Sequence, residues 1–241
     1  MNNNIVYSTS EIFKFYSENR IKWSQFYPSE KDVLEYVNPK SDTKVLDIGC
    51  GCGGLGMALK EKFGIKDYTG IDINKKAIKK AIDLNPLGNF LNEDFLEISS
   101  SKIKNNNLII SLSCIDWNIE FKSMLQKAWS ILEEGKFILS IRLTNKEGIN
   151  DIKKSYQFIN FNGNNEGEIA PYNIYNFKKW FSEIKTLSNI SEIYCYGYNG
   201  KPAKTAITPY KEVCFAVFSL SKVKDFNGEL REKIKLPIEF K

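Results

Sequence analysis

Val45-Leu46-Asp47-Ile48-Gly49-Cys50-Gly51-Cys52-Gly53-Gly54-Leu55-Gly56-Met57-Ala58-Leu59 is the stretch that decides the architecture of this chain. An apolar run closes on an acid, glycines follow at alternate positions, and an apolar helical pattern resumes, which predicts a strand, a tight turn and a helix. Glycine lets backbone approach a ligand closely at the carboxyl end of a strand, where a Cβ would stand in the way. The turn is therefore the expected place for a nucleoside-type cofactor.

Strands and helices alternate on either side of it. The first helix ends near Gly64, strand two spans Asp67–Ile73, and Asn74 is placed to cap a helix whose Ala77, Ile78, Ala81 and Ile82 form one stripe. Short strands are expected near Asn89–Asn92, Leu108–Leu112 and Lys136–Leu143. The helix between the last two carries Phe121, Met124, Leu125, Ala128, Trp129 and Leu132 at core spacing. Further on, Asn160–Gly167 reads as a mobile polar loop, Tyr172–Ser188 as a helix, and Glu192–Tyr198 and Val213–Ser219 as two closing strands. The tail from Lys222 has no pattern.

Before the turn, Ser8-Thr9-Ser10-Glu11 has capping-box spacing ahead of Ile12, Phe13 and Tyr16. The aromatic patch Trp23–Pro28 either covers a ligand or packs down the next helix, Ser29–Val37. The expected organisation is a helical cap over residues 1–40, a binding domain over 41–224 with a substrate-side insertion at about 145–190, and a tail over 225–241.

A length of 241 residues suits one α/β domain with decorations. No apolar stretch approaches the ~20 residues of a membrane span, and Met1-Asn2-Asn3-Asn4 lacks signal-peptide layout, so a cytoplasmic protein with no membrane partner is expected. The five cysteines have no framework spacing and are expected to be reduced thiols. Cys50 and Cys52 form a C-x-C, but the chain has no histidine and no second close cysteine pair, so no metal site is expected. The net charge of +5 comes from dispersed lysines rather than one basic face, which argues against a nucleic-acid partner. The pattern specifies no oligomeric state.

Asp72 follows Gly49 by roughly the ~20 residues at which nucleotide folds place a ribose-binding acid. Two details depart from dinucleotide dehydrogenases: the turn reads D-x-G-x-G-x-G, and the last two strands are consecutive with no helix between them. Both resemble class I S-adenosylmethionine-dependent methyltransferases of the small-molecule type, residue by residue over about Lys44–Leu143 and in outline elsewhere.

That resemblance implies a Rossmann-like α/β fold: a seven-stranded sheet of order 3-2-1-4-5-7-6 with an antiparallel closing hairpin and helices on both faces. It also implies S-adenosyl-L-methionine as cofactor. Asp47, Gly49, Gly51 and Gly53, with Cys50 among them, match the motif that wraps its methionine and ribose portions. Asp72 matches the acid on the ribose hydroxyls and Ile73 the apolar neighbour of the adenine face. Asp94 and Phe95 match the pair at the adenine edge. Ser111, Leu112 and Ser113 match the segment whose carbonyl receives the cofactor's ammonium group. The run Ser111–Trp117 also looks like the corresponding segment of methyltransferases acting on carboxylic acids.

Methyl transfer from a sulfonium requires mainly in-line approach and dehydration. With no histidine, any base must be Asp116, a tyrosine, a lysine or a cysteine. Asp116 and Trp117 are the first substrate-side candidates, because the strand-four exit faces the transferable methyl in the family. Arg142, near the end of strand five, either clamps an anionic acceptor through two hydrogen bonds or pairs with a neighbouring acid. Tyr172, Lys201, Lys204 and Tyr210 follow as weaker candidates. The expected acceptor is a small polar or anionic metabolite, methylated on oxygen, with phosphate, phosphoramidate or carboxylate groups of bacterial surface-glycan precursors as examples. An RNA-modifying enzyme and a non-catalytic cofactor-binding subunit are the alternatives.

Overall fold

The computed structural model describes residues 16–160 and 163–240. The helix read from Ser8 lies, apart from Tyr16, outside the described residues.

Helix α1 (Pro28–Val37) precedes the alternating series β1 (Lys44–Ile48), α2 (Gly54–Phe63), β2 (Asp67–Asp72), α3 (Lys75–Leu84), β3 (Asn89–Asn92), β4 (Leu108–Ser111), α4 (Phe121–Ile131) and β5 (Gly135–Thr144). There follow β6 (Tyr156–Phe158), β7 (Ile169–Pro171), β8 (Tyr175–Asn176), α5 (Phe177–Ile184), β9 (Ile190–Gly200), β10 (Ala206–Ile207), β11 (Val213–Lys222) and β12 (Arg231–Lys235).

Among the described residues the main sheet has nine strands, ordered β12-β9-β11-β5-β4-β1-β2-β3, with β8 paired to β5. The series β3-β2-β1-β4-β5 is parallel, and β11 is antiparallel to both β5 and β9. Seven strands thus stand in the expected order, and the expected count is corrected by two. Arg231–Lys235, within the tail read as featureless, adds a strand parallel to β9. Tyr175–Asn176 was expected to be helical but pairs with Leu143–Thr144. The helix begins later because the Asn176 side chain accepts from the Lys179 N–H and caps it there. A separate three-stranded sheet, β10-β6-β7, is built from the insertion and the loop before β11. Between β6 and β7, the Asn160 amide donates to the Asn164 and Glu166 carbonyls and its oxygen accepts from the Gly163 and Asn164 N–H groups, a local hub in the segment expected to be a mobile polar loop.

Parallel strands covered on both faces read as continuous apolar runs because each face has its own core. On β1, Leu46 and Ile48 point into one core together with Ile109, Phe137, Leu139, Met124 and Trp180. Val45 points the other way, into a core with Leu34, Leu59, Tyr68, Ile110 and Ile138. Strand alternation puts Asp47 and Arg142 on this second face, under α1, α2 and the segment preceding them.

Candidate functional site

The carboxyl ends of β1, β2, β4 and β5 open into a cavity of about 710 Å³, roofed by residues from Tyr16 to Glu30 and by the insertion around Gln157–Asn160. In an open parallel sheet this is where the chain reverses direction between β1 and β4 and leaves a crevice for a ligand.

The glycine turn forms one wall. The Gly49 and Cys50 N–H groups both donate to the Ile71 carbonyl, tying the turn to the end of β2. Gly49 has φ +76°, and a Cβ there would stand 2.2 Å from the Cys114 Sγ. Gly51 has φ +53° but faces open space, with nothing within 4 Å of where a Cβ would be. The first glycine is required by packing and the second keeps the cavity side of the turn bare.

Asp72, at the end of β2, uses both carboxylate oxygens on this turn: one accepts from the Gly51 N–H at 2.9 Å and the other from the Asn74 N–H at 2.8 Å. Burial pushes its pKa up, and the two backbone hydrogen bonds pull it back. Asp47 is 3% exposed and accepts from the Tyr68 hydroxyl. Burial raises its pKa to about 7, the Tyr68 hydrogen bond opposes the rise, and the nearby Asp72 adds to it. Ile73, Asn74, Glu93, Asp94 and Phe95 continue this half of the lining, and an Asp94 oxygen accepts from the Leu96 N–H at 2.8 Å.

The exit of β4 supplies Leu112, Ser113 and Cys114 to the lining. Ser113 takes φ +55°, and its N–H donates to the Ser140 Oγ at 2.7 Å. Burial pushes the Cys50 and Cys114 thiols well up, so neither is an activated nucleophile. Two of the sequence candidates stand behind the lining. Gly53 begins α2 from a left-handed conformation. Ser111, fully buried, donates to the Ile48 carbonyl and accepts from the Ile115 N–H, which braces β4 against β1.

Asp116, Trp117 and Arg142 come together on the far side of the cavity. An Arg142 Nη lies 3.1 Å from an Asp116 carboxylate oxygen and also donates to the Asp116 and Asn173 carbonyls at 3.3 Å. The guanidinium sits over the Tyr172 ring at 4.0 Å and the Trp117 ring at 4.8 Å. Of the two roles open for Arg142, the structure shows the ion pair. Burial raises the Asp116 pKa to about 6 despite the opposing Arg142 charge. Asp116 Oδ1, Arg142 Nη2, the Tyr172 hydroxyl and Gln157 Oε1 are buried without a hydrogen-bond partner.

Tyr172 and Lys201 line the cavity, whereas Lys204 and Tyr210 do not. The Tyr210 hydroxyl instead donates to the Glu147 carbonyl. Sequence reasoning missed Arg20, Glu30, Gln157, Phe158 and Tyr198. Arg20 and Glu30 form a two-pronged ion pair at 2.9 and 3.1 Å, and a Glu30 oxygen also accepts from the Tyr27 N–H. The one available signal was the Trp23–Pro28 patch. Trp23 packs on Phe63, while Phe26 and Tyr27 line the cavity.

Among the described residues no cluster of side chains could hold a metal ion, and no helix is long and apolar enough to cross a membrane. A profile described as a methyltransferase domain matches residues 39–190. A release factor glutamine methyltransferase from Fusobacterium nucleatum is 36% identical over 67 residues, 28% of this chain and 19% of that protein. A ribosomal protein L11 methyltransferase from Prochlorococcus marinus is 41% identical over 81 residues, 33% of this chain and 26% of that protein. The matched stretches thus span about a quarter or less of these relatives. Among solved structures, a putative S-adenosylmethionine-dependent methyltransferase from Listeria monocytogenes superposes with a TM-score of 0.53 at 17% identity, covering 81% of this chain and 99% of its own.

Proposed function

The chain belongs to the methyltransferase-domain family, and from that premise we propose that it transfers the methyl group of S-adenosylmethionine to a small polar molecule held in this cavity. The observation that carries the reading is the charge of the cofactor half. Asp47, Asp72, Glu93 and Asp94 converge around the bare glycine turn. Asp72 and Asp94 repel a pyrophosphate and attract a ligand bearing a sulfonium and an ammonium, while burial raises the Asp47 pKa to about 7 and Glu93 is already paired with Lys102. The residues therefore fit S-adenosylmethionine and do not fit a dinucleotide.

When bound, the cofactor supplies an electrophilic methyl whose leaving group is a neutral thioether. The chain's own work is placement. The Gly49–Gly51 backbone and the Asp72 carboxylate, itself fixed by two N–H groups, hold the nucleoside side. Asp94 and Phe95 bound the base end. Asp116 and Trp117 bring the acceptor from the β4 exit. Holding two reactants in line is worth roughly 7–11 kcal/mol of barrier, so little further chemistry is asked of the protein. Asp116 is the carboxylate at the β4 exit, held beside Arg142, and burial raises its pKa to about 6.

Isothermal titration of the purified chain with S-adenosylmethionine and S-adenosylhomocysteine tests the reading. Saturable one-site binding of both is expected. Absence of binding by either would sink it. Incubation with labelled S-adenosylmethionine and a metabolite extract, followed by mass spectrometry, then identifies the labelled product.

A further inference from the structure

The loop after β3, which carries Asp94 and Phe95 into the cavity lining, is tied down at two points. At the first, the Asn92 amide donates to the Asp72 and Ile73 carbonyls at 3.1 and 3.0 Å and joins the end of β3 to that of β2. At the second, the ammonium of Lys127, on α4, donates to the Leu96 carbonyl at 2.9 Å and to the Ile98 carbonyl at 2.6 Å. It also lies 5.5 Å from the centre of the Phe95 ring. Lys127 itself does not line the cavity, although Met124, one helical turn before it, does.

Between these points the chain closes into a tight turn. The Asp94 carbonyl accepts from the Glu97 and Ile98 N–H groups at 3.1 and 2.9 Å, and an Asp94 carboxylate oxygen accepts from the Leu96 N–H at 2.8 Å. Backbone and side chain of Asp94 are both bonded to the turn, so a shift of the turn moves the carboxylate with it. Phe95 and Ile98 are buried in the core with Met124 and Ala128, which holds the turn on the protein. The ammonium adds a second constraint, since its three N–H donors on one point charge draw two carbonyls together. Partial burial pulls the Lys127 pKa down, and the nearby Glu97 and Asp94 charges oppose the fall.

We propose that Lys127 is a positioning residue for the base end of the cofactor: by holding the Leu96 and Ile98 carbonyls it sets where the Asp94 carboxylate stands, without touching the cofactor. The proposal rests on the methyl-transfer reading above and on Asp94 as the residue at the adenine edge. An ionised carboxylate only accepts hydrogen bonds, and its two oxygens can serve the Leu96 N–H and the exocyclic amine of adenine together. Lys127 therefore governs how well the site reads that amine.

The test titrates the full chain, as wild type, Lys127→Met and Lys127→Gln, with S-adenosylhomocysteine and with its analogue in which unsubstituted purine replaces adenine. Wild type is expected to prefer the adenine form by about tenfold or more, the worth of a hydrogen bond to a charged group. Lys127→Met should weaken S-adenosylhomocysteine by about tenfold and leave the purine analogue nearly unchanged, so that the preference largely disappears. Lys127→Gln, which keeps one donor group, should fall between. A purely structural role would weaken both ligands alike, so an unchanged preference in Lys127→Met overturns the proposal. Wild type without a preference overturns it too, because Asp94 then does not read the amine. If Lys127→Met does not fold, Lys127→Gln is judged by the same ratio. In wild type, S-adenosylhomocysteine should also slow amide exchange at Leu96, Glu97 and Ile98 by about tenfold or more, and unchanged exchange there overturns the proposal whatever the variants do. Failure of wild type to bind S-adenosylhomocysteine at all overturns the methyl-transfer reading instead.

Discussion

Asp116 and Arg142, carried by the exit of β4 and the end of β5, form an ion pair at 3.1 Å with side chains 5% and 3% exposed. A charge this deep is tolerated only with its partner in place. The pair therefore acts as one unit, setting the charge at that end of the cavity and fixing the end of β5 against the turn after β4.

Removing one partner should cost far more than removing both. Arg142→Met and Asp116→Leu are each expected to destabilise the fold by about 3–5 kcal/mol, and the double variant by much less, because only the singles leave an uncompensated buried charge. Urea denaturation of the four proteins checks this. Additive losses in the double variant would show that the two residues contribute independently.

The glycine turn separates packing from binding. Gly49→Ala brings a Cβ against Cys114 and should lower stability by several kcal/mol. Gly51→Ala has open space and bears only the cost of its left-handed backbone, about 1–2 kcal/mol. It nonetheless places a methyl on the cavity side, and affinity for S-adenosylhomocysteine should fall by about tenfold or more, roughly 1.4 kcal/mol. Unfolding midpoints and calorimetry read the two effects separately. Equal affinity in Gly51→Ala and wild type would remove the turn from the cofactor site.

Asp72→Ala should weaken cofactor binding by roughly tenfold to a hundredfold, the range for losing a hydrogen bond to a charged group of about 1.5–3 kcal/mol. Part of the loss is indirect, since Asp72 also holds the Gly51 and Asn74 N–H groups. Asp72→Asn retains an acceptor and should fall between. Unchanged affinity in both variants would contradict the assignment.

Asp47 predicts a pH dependence with a definite sign. Its folded pKa, about 7, lies above the ordinary 3.8, so the folded state favours the protonated form. Its contribution to stability is fully present below about pH 3.8 and is lost as pH rises through about 7. Wild type should therefore lose stability relative to Asp47→Asn between pH 4 and pH 7. At 1.36 kcal/mol for each pKa unit, the upper bound is about 4 kcal/mol. Denaturant unfolding of both proteins across that range checks it, and a flat difference would show that Asp47 titrates normally.

Local patterns in the sequence were enough for the elements around the turn. The Val45–Leu59 pattern, the Asn74 cap and the apolar runs of β4 and β5 each declare their structure within a few residues, and all are found. The helix over 172–188 was overextended because Phe177, Trp180, Phe181 and Ile184 have strong helical spacing, while the pairing of Tyr175–Asn176 with β5 comes from a distant strand. The strand at Arg231–Lys235 shows no alternation because it lies at the sheet edge and is mostly exposed. Its pairing is set by β9, not by its own composition.

The sequence by itself determined where strands one to five fall along the chain, the glycine turn and the position of Asp72 after it, because each depends on neighbours within one strand-turn-helix unit. It could place Asp116, Trp117 and Arg142 at strand exits, but not what they touch. Only the tertiary structure decided that Arg142 is neutralised by Asp116, that Arg20 is neutralised by Glu30, and that aromatics from the N-terminal segment, the insertion, β9 and β11 line one cavity. These pairings join residues far apart in the chain. Their energies depend on distance and burial, and neither exists before the chain has folded.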